Sequence, residues 1–151
     1  MIKVVIVPDT NVLLAGMLGI PGSTRKILNF ALSKRIVMFG SSVSYREFLE
    51  KIKLPRVQKY FKNQYFTQEK ISLEYRFCIN MVKTKGVYEG QRITEDPDDD
   101  EFFRIAKASG SRVIVSRDAH VLKVKKFDGI ITVTPERFME KFYKLECSRF
   151  A

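Results

Sequence analysis

The sequence predicts an α/β protein, a three-layer α/β/α sandwich with a central parallel sheet, and three observations support this prediction. Short runs rich in β-branched residues recur along the chain and are apolar on both faces, as strands covered by helices are. Segments with helical periodicity separate these runs, and such alternation is typical of right-handed βαβ crossovers. The length of 151 residues fits one domain. We expect a single domain over residues 1–146, followed by a tail of residues 147–151.

Four segments have the composition of buried strands. They are residues 3–7 (KVVIV), 35–39 (RIVMF), 112–116 (RVIVS) and 129–133 (GIITV). Each is short and apolar without strict alternation, which favours a strand covered on both faces. The first run is closed by Pro8, and polar residues follow it directly.

The segments between the strands have the composition of helices. They are residues 23–33, 43–53, 68–82, 102–110 and 135–145. In FFRIAKASG, residues 102–110, the apolar side chains share one face and Gly110 is suited to end the helix. Asp98 and Glu101 form the pattern of a capping box, so we expect this helix to begin inside the acidic run that precedes it.

The chain is strongly basic except at one place. It has 27 Lys and Arg against 17 Asp and Glu, a formal net charge of +10. Residues 94–101, TEDPDDDE, nevertheless hold six of the acids. A basic surface favours a polyanion such as nucleic acid, whereas clustered carboxylates repel that polyanion unless they hold cations. From composition alone, a solvated acidic loop on a basic domain is an equally good interpretation.

The sequence lacks the features of a membrane protein or of a disulfide-stabilised secreted protein. The apolar opening is interrupted by Asp9 and Asn11, and an Asp at the centre of a membrane span costs roughly 2.5–3.5 kcal/mol. Cys78 and Cys147 are too few and too far apart for a disulfide framework. We expect a cytoplasmic protein with no signal peptide and no membrane segment.

Acidic residues follow two of the predicted strands. Asp9 comes after the first strand, and Asp118 comes after the strand at residues 112–116. Ligands of parallel sheets bind beyond the carboxyl ends of the strands, so both acids reach one crevice if these strands are neighbours. The helix that begins in the acidic run brings its first turn to the same edge. Carboxylates brought this close together raise one another's pKa values and destabilise the fold, and hard divalent cations such as Mg²⁺ or Mn²⁺ relieve this. An ion held in this way supports phosphodiester hydrolysis.

Each of these acids also has a purely structural interpretation. Asp9 is suited to cap a helix that starts after it. Asp98 is suited to cap the helix of the acidic run, with Asp99 and Asp100 favourable to the helix dipole in its first turn. Asp118 is suited to a turn. We favour a shared site because three acidic segments would otherwise meet at one sheet edge by coincidence.

With the acids placed, the sequence resembles the PIN-domain family of metal-dependent ribonucleases, specifically the toxin components of toxin–antitoxin loci. The motifs that carry the resemblance are VVIVPDTNVLL, DPDDDEFFRIAKASGSRVIVSRD and GIITVTPERFMEKF. The resemblance implies a PIN-like, Rossmann-like sandwich and an endoribonuclease that cleaves single-stranded RNA with Mg²⁺ or Mn²⁺. It also implies a homodimer and a small antitoxin protein that blocks the site.

The resemblance implies roles for individual residues. The metal ligands, which also position the attacking water, would be Asp9, Glu47, Asp99 and Asp118, with Asp100 in reserve for Asp99. Glu50 lies one helical turn after Glu47 and is the alternative to it. Asn11 and Ser116 match positions that support the acids through hydrogen bonds. His120 stands where related sequences often carry an acid, and it is a candidate metal ligand, phosphate contact or turn residue.

Residues 45–66 are rich in both basic and aromatic side chains. Such a surface is able to bind RNA by charge and stacking, although most of the aromatic residues are better explained as core or dimer contacts. The candidate RNA contacts are Arg46, Lys51, Lys53 and Arg117. Two other function classes stay open: a receiver-like Mg²⁺-binding signalling domain and a non-catalytic RNA-binding PIN domain.

Overall fold

A mostly parallel sheet of six strands lies at the centre of the computed structural model, which describes residues 4–62 and 67–149. The strands are β1 (Val4–Pro8), β2 (Ile36–Gly40), β3 (Ile79–Met81), β4 (Val113–Val115), β5 (Lys126–Phe127) and β6 (Ile130–Val133). Their order across the sheet is β3-β2-β1-β4-β6-β5. The pairs are parallel except at the edge, where β5 runs antiparallel to β6.

Helices cover both faces of the sheet, as the sequence predicts. They are α1 (Thr10–Met17), α2 (Ser23–Leu32), α3 (Ser42–Ile52), α4 (Pro55–Gln58), α5 (Gln68–Cys78), α6 (Asp100–Ser109), α7 (Ala119–Leu122) and α8 (Pro135–Arg149). Successive side chains of β1 point to opposite faces, so Ile6 packs in one hydrophobic cluster and Val7 in another. The first cluster includes residues of α1, α2, α3, α5 and α8, and the second includes residues of α6 and α7. The three-layer sandwich is therefore confirmed.

Two strands are not recognisable from the sequence. The helix predicted over residues 68–82 ends at Cys78, and Ile79–Met81 instead form β3, which pairs with β2. Three residues carry too little β-branched signal to override the preceding helical pattern, and pairing with β2 supplies the stabilisation. The two-residue strand β5 is shorter still. At the chain end, α8 continues through Arg149, so part of the predicted tail is helical.

The capping box predicted from Asp98 and Glu101 is wrong. A 3₁₀ turn over Pro97–Asp99 precedes α6, and its cap is Asp96, whose Oδ1 accepts from the Asp98 amide at 3.0 Å. The Glu101 carboxylate is buried and accepts from the Ser41 and Thr84 hydroxyls at 2.6 and 2.7 Å. The side chain of Glu101 thus ties α6 to the start of α3 rather than capping its own helix.

The strand arrangement meets the condition on which the predicted site depends. β1 and β4 are direct neighbours, with Val7 opposite Ile114 and Pro8 opposite Val115. The amide of Asp9 continues this pairing by donating to the Val115 carbonyl at 2.9 Å. The carboxyl ends of the two strands therefore lie side by side. Among the described residues, no helix combines the length and apolar composition that crossing a membrane requires.

Candidate functional site

Asp9 lies at the junction of β1 and α1 with both carboxylate oxygens engaged. Oδ1 accepts from the Val12 amide at 2.9 Å and so caps α1, while Oδ2 accepts from the Ser116 hydroxyl. Ser116 Oγ also accepts from the Asp118 amide at 2.9 Å. One serine thereby fixes the two aspartates that follow β1 and β4. The side chain of Asp9 is almost fully buried, and this burial raises its pKa.

Glu47 reaches the same region from α3. Its Oε2 accepts from the Thr10 hydroxyl at 3.0 Å, and its Oε1 pairs with Lys51 Nζ at 3.2 Å. Thr10 is the residue after Asp9, so this hydrogen bond brings Glu47 beside the end of β1. Glu50, the alternative to Glu47, is exposed and lines a cleft to which Glu47 also contributes.

Asp99 is the most unusual carboxylate of the described residues. It is only 9 % exposed, and its Oδ2 is a buried polar atom without a hydrogen-bond partner there. Burial, followed by the negative charges of Asp118, Asp96, Glu47 and Asp9, raises the pKa of Asp99 to about 7. The other three acids predicted to hold the metal are therefore near enough to Asp99 to act on its carboxylate electrostatically.

Asp100 has a different environment although it is the next residue. Its Oδ1 accepts from the amide and the hydroxyl of Thr94 at 2.7 and 2.8 Å, and its Oδ2 accepts from the Ile93 amide at 3.2 Å. The Asp100 carboxylate is therefore occupied by the loop that leads into the acidic run. Asp99 and Asp100 are the two candidates for the same metal ligand. Of these, Asp99 is the one on which the other acids act electrostatically.

Asp118 is half-buried after the end of β4, where the sequence predicts either a site acid or a turn residue. Its Oδ1 accepts from the His120 amide at 2.8 Å and so caps the short helix α7. The imidazole Nδ1 of His120 lies 3.0 Å from Glu95 Oε2. Glu95 also pairs with Lys123. His120 is thus part of a surface ion-pair cluster.

The polar residues near the four acids include one whose contacts differ from its predicted role and two that the sequence does not predict. The resemblance implies that Asn11 supports the acids through hydrogen bonds. Its Oδ1 accepts from Lys51 Nζ at 3.3 Å, and Lys51 in turn pairs with Glu47. Thr10 makes the direct hydrogen bond instead. Asp96, which helps raise the pKa of Asp99, is not among the site residues that the sequence predicts. Its position in the acidic run is the only sequence signal for it.

The acids fit a divalent cation by the chemistry of their donor atoms. They offer carboxylate oxygens, which hard cations prefer, and the unpartnered oxygen of Asp99 is suited to accept one. As the side chains stand, no three acidic, His or Cys residues in the described ranges are grouped closely enough to enclose an ion. An open set suits Mg²⁺, which usually keeps several waters and is held by one or two carboxylates together with substrate phosphates.

The candidate RNA contacts lie in different settings. Arg46 is exposed and lines the cleft beside Glu47, and Lys53 is exposed at the end of α3. Lys51 is engaged with Glu47 and Asn11, and Arg117 pairs with Glu136 at 2.5 Å. These positions leave Arg46 and Lys53 as the more available cations.

The aromatic residues of the segment 45–66 divide between core and surface. Phe48 is fully buried, whereas Tyr60 and Phe61 are partly buried against the larger hydrophobic cluster. Tyr65 and Phe66 lie outside the described residues. The core interpretation is therefore correct for Phe48.

Comparisons with known proteins agree with this architecture. A model of the PIN domain matches residues 3–120. The chain is 24% identical over 151 residues to the uncharacterized protein MJ1680 of Methanocaldococcus jannaschii, covering 95% of this chain and 94% of that protein. The crystal structure of VapBC2 from Rickettsia felis bound to a DNA fragment from their promoter contains a chain of similar fold. The TM-score is 0.57 with 15% identity, covering 86% of this chain and 98% of that one. Because the PIN domain match spans most of the sequence, the chain belongs to the PIN domain family.

Proposed function

We propose that this protein is a Mg²⁺- or Mn²⁺-dependent endoribonuclease that hydrolyses phosphodiester bonds of single-stranded RNA. The observation that carries the proposal is the buried Asp99 carboxylate. One of its oxygens has no hydrogen-bond donor among the described residues, and burial, followed by the charges of four other acids, raises its pKa. Such like-charge crowding destabilises a fold unless a cation relieves it. Membership of the PIN family supports the nuclease class, and the RNA substrate follows the resemblance in sequence.

Four residues would hold the metal and orient the water that attacks the phosphodiester: Asp9, Glu47, Asp99 and Asp118. A bound divalent ion supplies positive charge that stabilises the developing phosphate charge and lowers the pKa of water. The chain's own contribution is orientation. Ser116 fixes Asp9 and the backbone of Asp118, and Thr10 with Lys51 fixes Glu47.

The biological setting is also part of the proposal. The sequence resembles PIN toxins, and the fold is similar to a chain of VapBC2. We therefore place this protein in the cytoplasm as the toxin of a toxin–antitoxin pair, as a homodimer with a small antitoxin protein that blocks its site. The match to the PIN domain gives no support to a receiver-like signalling domain.

The direct test compares wild type with Asp9→Asn on a labelled single-stranded RNA of mixed sequence. Each protein is incubated with Mn²⁺ and with EDTA. We expect cuts only from wild type with metal, because Asn keeps the helix cap but removes a charged ligand. Full activity of Asp9→Asn, or cuts by wild type in EDTA, would refute the metal-dependent mechanism. A folded wild type that neither cleaves nor binds Mn²⁺ would favour a non-catalytic RNA-binding PIN domain.

A further inference from the structure

A second cavity lies between α1 and the α4 region, and its lining contains none of the four acids of the proposed site. Its volume is about 270 Å³. The floor is apolar and includes Leu14, Leu18 and Val57, and the partly buried ring of Tyr60 contributes to the wall. A space of this size is below the roughly 300–1,000 Å³ of sites for drug-sized ligands. It suits a single flat ring system.

The rim of this cavity is positively charged. Arg56 and Lys59 line it and are exposed, and Lys59 Nζ lies 5.5 Å from the centroid of the Tyr60 ring. Within the described ranges neither cation forms an ion pair. The sequence around the rim is also basic, since residues 51–68 contain five Lys and Arg and no Asp or Glu. The rim is therefore complementary to an anion.

The cavity adjoins the acidic site through one polar residue. Asn11 lines it, and the amide oxygen of Asn11 accepts from Lys51, which pairs with Glu47. Thr10, the neighbour of Asn11, donates to the same glutamate. An RNA chain that passes Asn11 would therefore connect a phosphate at Glu47 with the cavity.

We propose that this cavity binds one unpaired base of the RNA beside the scissile phosphate, with Arg56 and Lys59 contacting the flanking phosphates. An apolar floor, an aromatic wall and a basic rim together are the features of sites for single-stranded nucleic acid. A protein segment would use the floor but would need acidic groups for the rim, so the nucleotide accounts for more of the observations. The inference rests on the proposed function for the choice of RNA.

The test measures binding in EDTA, where the proposed nuclease does not cut, by the anisotropy of a fluorescein-labelled ten-nucleotide RNA. Tyr60→Leu keeps the apolar volume but removes the stacking surface, and we expect its Kd to rise roughly fivefold or more. Arg56→Gln/Lys59→Gln should reduce the slope of log Kd against log salt by about 1.4, because each single-strand phosphate that a cation neutralises contributes roughly 0.7 to that slope. The control is Lys125→Gln/Lys126→Gln, which removes two exposed cations at the sheet edge formed by β5. It should change the slope by much less.

A second measurement locates the base and separates this inference from the proposed function. Wild type and Tyr60→Leu are given RNAs with one abasic position, moved stepwise across the cleavage site in Mn²⁺. One position should slow wild type severalfold and leave Tyr60→Leu no slower than on intact RNA. If wild type cleaves at the same rate whichever position is abasic, the base site is refuted and the nuclease proposal stands. Without any cleavage the nuclease proposal fails, and the binding arm still decides the base site. If Tyr60→Leu and Arg56→Gln/Lys59→Gln bind RNA as tightly as wild type does, the base site is refuted. A partner protein would then be the better candidate for the cavity.

Discussion

Asp99 and Asp100 are adjacent acids whose surroundings make opposite contributions to stability. Asp99 faces other carboxylates and has an unpartnered oxygen, whereas Asp100 accepts three hydrogen bonds from Ile93 and Thr94. Asp99→Asn should therefore raise the free energy of unfolding in EDTA at pH 8, because it removes like-charge repulsion. Asp100→Asn should lower it by about 1–3 kcal/mol, since hydrogen bonds to a charged acceptor are removed.

Urea denaturation with and without Mn²⁺ measures both effects. Stabilisation by Mn²⁺ should persist in Asp100→Asn and shrink in Asp99→Asn, because a ligand stabilises the folded state in proportion to its affinity for it. The opposite pattern, with Mn²⁺ stabilisation absent only in Asp100→Asn, would transfer the metal role to Asp100.

The raised pKa of Asp99 also predicts how stability depends on pH. The pKa is about 7 in the folded protein against an ordinary value of 3.8. Between these values the folded state binds more protons than the unfolded state, so the contribution of Asp99 to stability falls as pH rises from about 4 to about 8. The difference in unfolding free energy between Asp99→Asn and wild type in EDTA should grow over this range. A difference that stays constant with pH would show that Asp99 is not perturbed.

The sequence predicts the location of a residue best when that residue directly follows a strand. Asp9, Ser116 and Asp118 follow β1 and β4 directly, so knowing that the strands are neighbours is enough to bring them together. Glu47 needs the packing of α3 on α1, which only the resemblance supplies. The different environments of Asp99 and Asp100 come from the 3₁₀ turn before α6, and no local pattern indicates it.

At the level of elements, α1 and α2 approach so closely that Gly16 has no room for a side chain. A Cβ added there would lie 2.9 Å from the carbonyl oxygen of Thr24, a backbone atom that cannot rotate away. Helix propensity alone predicts that Gly16→Ala stabilises by up to about 1 kcal/mol. We expect the clash to dominate, with destabilisation of about 1–3 kcal/mol as in overpacked cores. Thermal or urea denaturation decides the sign, and an increase in stability would mean that the two helices separate easily.

Some helices and strands are easier to predict from the sequence than others. Long periodic helices and β-branched strands carry their signal locally, whereas β3 is stable only because β2 lies beside it. The capping box fails for a related reason. Asp98 and Glu101 have the required spacing, but Glu101 contacts Ser41 and Thr84, which are distant in sequence, and Asp96 caps the turn instead.

For the whole molecule, a basic body with net charge +10 surrounds one acidic site. A basic body attracts polyanions, whereas under the proposed function the acids repel the phosphate at the point where it would react. Removing one of these charges should therefore strengthen RNA binding when no metal is present. Asp118→Asn is suited to this test because Asn preserves the cap of α7. Its Kd for single-stranded RNA in EDTA should fall roughly fivefold at low salt, which corresponds to about 1 kcal/mol for one close charge pair in water.

Glu89→Gln provides the matched control because it also adds one positive unit to the net charge, but at an exposed loop position. If repulsion at the acidic site governs binding, Glu89→Gln should change Kd by much less than Asp118→Asn. Raising the salt concentration should reduce the difference, since exposed charges are screened beyond about 10 Å at 0.1 M. Saturating Mn²⁺ should tighten binding by wild type more than by Asp118→Asn, since the cation then cancels the same repulsion. Equal effects of the two substitutions would show that only net charge matters, and the acids would then lie outside the path of the RNA.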